Sequence, residues 1–185
     1  GLCTLFWSLS INAQGQHFNP KGKQPSEFTR EIQAQLRQSL PFEDQRDFEE
    51  SRRGFIAEPD YRQILGAQGN IVWDMTRYDF LLDGNDYDSI HPSLQRQATL
   101  NMNYGLYEVV PGFLYQVRGF DVSNLTLVRG DTGWILFDVL LASETAEAAL
   151  ALANQHLGEL PVKAVVYSHS HIDHFGGVRG VINAE

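Results

Sequence analysis

The sequence predicts an α/β fold preceded by a helix-rich leader, and three features carry that reading. Short apolar segments broken by turn signals crowd residues 104–139, an alanine-rich helical pattern covers 143–157, and a β-branched run closes the series over 162–167. Strand hairpins, then a helix, then a buried strand are the order of a sheet with a helix packed on one face. The length of 185 residues suits about one domain. Its composition divides it into 1–15, a segment unlike the rest, 16–98, the leader, and 99–185, the α/β part.

Leu2 to Ile11 (LCTLFWSLSI) is apolar but too short to span a bilayer, and Ala13 and Gly15 offer small residues for cleavage. This reads as the tail of a secretory signal peptide, which predicts a periplasmic or secreted protein without stable membrane insertion. Cys3, the only cysteine, falls inside that segment, so the remainder can form no disulfide framework. The chain starts at Gly1 and stops eleven residues after His174, which predicts a piece of a longer protein. With 14 Lys+Arg against 23 Asp+Glu the net charge is −9, which argues against a nucleic-acid surface.

In the leader, apolar residues at 28, 32, 36 and 40 predict a helix over Glu27 to Leu40, opened by Ser26 as N-cap and closed by Pro41. Glu43 to Phe55 predicts a second, highly charged helix whose Asp47, Glu50, Arg52 and Arg53 form a solvated face. Ile71 to Leu82 is dense enough in apolar bulk for a strand or docking segment, and the acidic stretch Asp83 to Asp88 marks a loop.

From Tyr104 onward, Leu106 to Val110, Phe113 to Val117, Ser123 to Arg129 and Trp134 to Val139 predict four short strands, the last two joined as a hairpin through Gly130 to Gly133. A helix follows with Ser143 as N-cap, Glu144 and Glu147 in its first turn, and Ala146, Ala149, Leu150, Ala153 and Leu157 on one face, ending at Gly158. Val162 to Tyr167 (VKAVVY) predicts a buried strand.

The loop leaving that strand holds four metal-binding side chains within six residues: His169, His171, Asp173 and His174. On extended backbone, residues two apart share a face, so His169, His171 and Asp173 point together while Ser170 and Ile172 point away. Two imidazoles can then share one ion while Asp173 and His174 reach a second, at the roughly 3.5–4 Å spacing of two-metal hydrolases. Imidazole and carboxylate without thiolate suit zinc, and an incomplete ligand shell with room for water is the catalytic kind. Gly176 and Gly177 let the backbone approach the site closely.

The H-x-H-x-D-H run resembles that of the metallo-β-lactamase superfamily, whose four-layer αβ/βα sandwich would have its opening half in residues 99–185. Upstream, Ser39-Leu-Pro-Phe42, Arg53-Gly-Phe-Ile-Ala57, Val72-Trp-Asp74, His91-Pro-Ser-Leu94, Gly105 to Val109 and Tyr115 to Thr126 are similar to the linear alkylsulfatase family. That resemblance covers about residues 39 to 185. It departs at Gln95, where a tryptophan is expected and leader packing is put in question, and at Val139, where the absence of a proline is expected to loosen the turn near the site.

The resemblance implies two zinc ions per complete site, His169 and His171 on one and Asp173 and His174 on the other, with Asp173 also positioning water. Asp138 would stand under the metal loop and orient a ligand or the loop itself. The implied substrate is a primary alkyl sulfate of the detergent type, such as dodecyl sulfate, cleaved to alcohol and sulfate by a homodimeric parent protein. The ligand run alone is also compatible with hydrolysis of a β-lactam, lactone or thioester, or with a non-catalytic metal-binding module.

Overall fold

The computed structural model describes residues 24–182, so the apolar N-terminal segment with Cys3 lies outside the described residues. Helix α1 (Glu27–Ser39) starts as expected, with Ser26 Oγ accepting from the Thr29 amide at 3.1 Å. Only the later half of its apolar stripe, Leu36 and Leu40, is even half-buried. Phe28 is 72% and Ile32 39% exposed, whereas Gln33 is buried. The attachment is polar: Arg37 donates to the Tyr87 carbonyl at 3.2 Å and pairs with Asp86 at 3.1 Å, so the acidic loop sets which side of the helix faces inward.

The second predicted helix is cut short to α2 (Arg46–Ser51), because the chain turns at Gly54, φ 73°, into strand β1 (Phe55–Ala57). A Cβ on Gly54 would stand 2.0 Å from the Glu108 carbonyl oxygen, a contact no other residue could make. Its charged side chains are solvated as expected, with Glu50 and Arg53 paired at 3.2 Å in the open. Strands β2 (Gln63–Leu65) and β3 (Ile71–Asp74) form a separate antiparallel hairpin, followed by a 3-10 turn at Asp79–Leu82. Helix α3 (Pro92–Leu100) has His91 as its cap, and Gln95 on it bonds both the Tyr87 amide and the Asn85 carbonyl, at 3.2 and 2.7 Å. The departure at Gln95 therefore fastens the acidic loop instead of loosening the leader.

The remaining strands are β4 (Gly105–Val110), β5 (Leu114–Arg118), β6 (Leu125–Arg129), β7 (Trp134–Phe137) and β8 (Val162–Val166), and between the last two runs helix α4 (Ser143–Leu157). They build one six-stranded sheet, β1-β4-β5-β6-β7-β8, antiparallel throughout except for the parallel pair β7–β8. The parallel pair requires a crossover, and α4 provides it. This is the mixed α/β architecture expected, with the leader adding β1 to one edge of the sheet. β8 is not the buried strand expected. Lys163, Ala164 and Val166 are exposed, because among the described residues β8 has a partner only on its β7 side.

Alternation sorts the strands into two faces. Val117, Leu125, Leu127, Trp134 and Leu136 are fully buried and meet Ala146, Ala149, Leu152 and Ala153 of α4. Leu150 and Leu157, expected on that face, pack only at its margin. Small alanines let the helix lie close to the sheet, and burial of the larger side chains stabilises the pair by about 1.5–3 kcal/mol for each Leu or Val. Ser143 is the first helical residue and not the cap; Ala142 holds the cap position, and no side chain caps the helix there.

Trp134 centres this core. Its indole N–H donates to Asn154 Oδ1 at 2.9 Å, Tyr115 meets it edge-on at 5.9 Å, and the Arg129 guanidinium lies over its ring at 4.7 Å. Trp134→Ala is expected to destabilise the fold by about 3–5 kcal/mol, and Asn154→Ala, which strands the indole N–H, by about 1–3 kcal/mol. Chemical denaturation of the two variants checks both values, and their order should hold.

Candidate metal centre

β7 ends at Phe137 and the next residues turn sharply. Asp138 and Leu140 both adopt left-handed backbone, φ 55° and 64°, a conformation that non-glycine residues rarely take and that costs about 1–3 kcal/mol each. The Asp138 amide still donates to the Val166 carbonyl at 3.0 Å, so its carboxylate emerges beside the residues that follow β8.

Those residues do not remain extended through Asp173, as the alternation argument requires. His171 is extended, but Ile172–His174 is a 3-10 turn, closed by His174 N–H donating to the His171 carbonyl at 3.0 Å. The turn brings all four expected donors into one cluster by another route. His169 Nε2 lies 3.1 Å from His171 Nδ1, His174 Nε2 lies 3.2 Å from Asp173 Oδ2, and the His169 and His174 ring centres are 3.9 Å apart with their planes tilted by 48°. Ser170 makes none of these contacts.

Asp138 stands under the cluster. One oxygen accepts from the Ser168 amide at 2.8 Å; the other accepts from Ser168 Oγ at 2.7 Å and faces His174 Nδ1 at 2.8 Å. Burial works against the charged carboxyl, but the Ser168 amide, His174 and the Ser168 hydroxyl outweigh it and hold its pKa below the usual carboxylate range. Ser168, which the sequence reading passed over, is the hub of this network. Its hydroxyl proton goes to Asp138, because a carboxylate can only accept, so its oxygen accepts from His169 Nδ1 at 2.9 Å. His169 and His174 thus each turn Nδ1 to Ser168 or Asp138, which leaves Nε2 as the nitrogen of each ring that faces the other donors and that a metal would take.

The donor set fits a divalent ion in chemistry and, pair by pair, in spacing. Two ligands about 2.0–2.1 Å from a tetrahedral zinc stand roughly 3.3 Å apart, close to the 3.1 Å of the His169–His171 pair and the 3.2 Å of the Asp173–His174 pair. As the side chains stand, these donors face one another, and among the described residues no three of them surround a common point.

The turn is bolted down from beneath. Val139 N–H donates to the His174 carbonyl at 3.0 Å and Gly177 N–H to the Leu140 carbonyl at 2.9 Å, while Ser123 Oγ donates to the Asp173 carbonyl. Val139 is fully buried, and its N–H is one that a proline would lack, so this departure adds a tie to the site where a looser turn was expected. Gly177 packs so closely that a Cβ would lie 2.1 Å from the Val139 carbonyl and 2.6 Å from that of Ala142.

Residues 118–185 match the Metallo-beta-lactamase superfamily, and this part of the chain belongs to it. Within it the similarity is to alkylsulfatases. The chain is 51% identical over 161 residues to an (R)-specific secondary-alkylsulfatase of a Pseudomonas species, covering 87% of this chain and 24% of that protein. It is 43% identical over 178 residues to a linear primary-alkylsulfatase of a Pseudomonas species, covering 95% and 26%. The solved structure of the stereoselective inverting sec-alkylsulfatase Pisa1 from Pseudomonas superposes with a TM-score of 0.81 at 52% identity, over 87% of this chain and 25% of that one. The chain thus spans about a quarter of the length of the relatives it matches.

Two outcomes follow from the geometry. The folded-state pKa of Asp138 lies below its unfolded value, so its contribution to stability is full above the ordinary carboxylate range near pH 4 and fades as the pH falls through the lowered value. Denaturation of the metal-free protein should show Asp138→Asn clearly destabilised at pH 7 and converging on the parent in acid. Gly177→Ala should destabilise by about 1–3 kcal/mol at any pH, since it meets backbone and not a charge, and thermal melts at two pH values read this.

Proposed function

We propose that the complete protein is a zinc-dependent hydrolase of alkyl sulfates, converting them to an alcohol and inorganic sulfate. The observation that carries this reading is the sorting of the four donors into two close pairs, His169 with His171 and Asp173 with His174. Two pairs suit two ions. When bound there, divalent ions supply Lewis acidity toward sulfate oxygens and a water of lowered pKa. The chain's own residues prepare for that chemistry: Asp138 and Ser168 hold the Nδ1 sides of His174 and His169 and so aim their Nε2 atoms at the place an ion would take, and the Asp173 carboxylate supplies negative charge and a place to orient water.

The sulfate ester is the reading supported by the alkylsulfatase relatives, over β-lactam, lactone or thioester hydrolysis and over a non-catalytic binding module. A primary substrate of the dodecyl sulfate type is our first choice, in a periplasmic or secreted homodimer. Secondary alkyl sulfates are a second reading, favoured by 51% identity to the secondary-alkylsulfatase against 43% to the primary one.

Sulfate release from dodecyl sulfate and from a secondary octyl sulfate, measured on the complete protein, decides between the two. Activity on the preferred ester should vanish on treatment with a strong chelator and return with zinc; turnover that survives complete removal of metal overturns the proposal. Asp173→Asn should lower both metal content and turnover at least tenfold, while Ser170→Ala should leave both near the parent. Equal losses would remove Asp173 from the role given to it.

A further inference from the structure

The loop between β5 and β6 takes no part in the donor cluster, yet it touches both sides of it. Asp121, only 6% exposed, accepts from the Leu141 amide at 3.1 Å, from Thr145 Oγ1 at 2.6 Å and from the amide of its neighbour Val122 at 2.7 Å. A carboxylate with little access to water is tolerable when donors surround it, and two of these three donors belong to the segment that runs from the left-handed turn into α4. Two residues further on, Ser123 Oγ donates to the carbonyl of Asp173. The loop is therefore anchored at one end and applied at the other.

What it is applied to is a short turn with few restraints of its own. The 3-10 turn is held internally by two backbone bonds, His174 N–H to the His171 carbonyl at 3.0 Å and Phe175 N–H to the Ile172 carbonyl at 3.2 Å. From below, Val139 fixes the carbonyl of His174, but among the described residues no backbone bond fixes that of Asp173. Ser123 supplies that restraint. Rotation of the peptide between Asp173 and His174 would swing the Asp173 Cα–Cβ direction and the start of His174 together, so a hydroxyl holding this carbonyl constrains both donors of one pair. His169 and His171 precede the turn and are not attached to it through this carbonyl.

We infer that Ser123 is a positioning residue for the Asp173–His174 pair, held in place by the buried Asp121. The inference rests on the metal reading given above, extends it to a residue outside the ligand run, and makes the two pairs unequal in their dependence on the β5–β6 loop. Residues that support metal ligands from outside typically change affinity by about 10–100-fold when altered, and here the change should fall on one ion only.

The test is zinc binding by competition with chromophoric chelators, on the complete protein and on Ser123→Ala, Ser123→Thr and Ser123→Val. Ser123→Ala and Ser123→Val should weaken the second ion by about 10–100-fold and leave the first unchanged, with the visible spectrum of the cobalt-loaded protein altered for one ion. Ser123→Thr, which keeps the hydroxyl, should restore both affinity and spectrum, and Ser123→Val, of the same shape without it, should not. Melting of the metal-free variants separates this from a purely structural role. If both affinities fall together with the melting temperature, or if the parent binds two ions and Ser123→Ala binds them equally well, the inference is overturned while the metal reading stands. If the parent binds no divalent ion, the metal reading fails and the inference with it.

Discussion

The Asp138 carboxylate is the interaction on which the site depends. It ends a strand, sits on left-handed backbone, and bonds through both oxygens to residues thirty or more positions later. By accepting from Ser168 and His174 it joins the end of β7 to the loop after β8, and through Ser168 it reaches His169. The sheet makes this possible, since the parallel pairing of β7 with β8 brings both strand ends out on the same side. In α/β sheets that side, beyond the carboxyl ends of parallel strands, is where functional loops collect.

Much of this was legible in the sequence, because regular structure leaves periodic traces. The four strands from Leu106 to Val139, the helix ending at Gly158 and the cluster from His169 to His174 each follow from spacing and residue type. The pairing of donors was argued from spacing as well as resemblance, whereas Asp138 came from resemblance, and its carboxylate accepts from Ser168 in the loop after β8. What could not be read was carried by residues whose signal is ambiguous. Serines have no periodicity and occur in any loop, so Ser168 and Ser123 gave no sign of linking separate strand ends. The early end of the second predicted helix, where the chain turns into β1, depended on Gly54 approaching Glu108, a contact between residues far apart in sequence.

The leader teaches a related lesson about surface helices. Periodicity at 28, 32, 36 and 40 marked an apolar stripe on α1, yet the helix is oriented by one arginine reaching carbonyl and carboxylate groups in the acidic loop. Arg96 and Arg118 behave alike, donating to the carbonyls of Asp44 and Ser51 while lying over Phe48 and Tyr107. An arginine can satisfy several oxygens from a planar fork and stack at the same time, which suits it to joining irregular segments that lack a sheet ladder. The leader is assembled largely through such side-chain-to-backbone bonds, and binary patterning does not encode them.

Leu140 has a consequence for how this protein can change over evolutionary time. A left-handed backbone costs a leucine roughly 1–2 kcal/mol, and full burial of its side chain returns about 1.5–3 kcal/mol, so the two nearly cancel. Glycine would relieve the backbone but give up the burial; alanine or serine would keep the strain and lose most of the packing. A lineage drifting at this position has few neutral exits, chiefly methionine and residues of similar bulk. Selection for thermal robustness alone would therefore find little to gain there, and the turn should persist among descendants even where the chemistry above it has been lost.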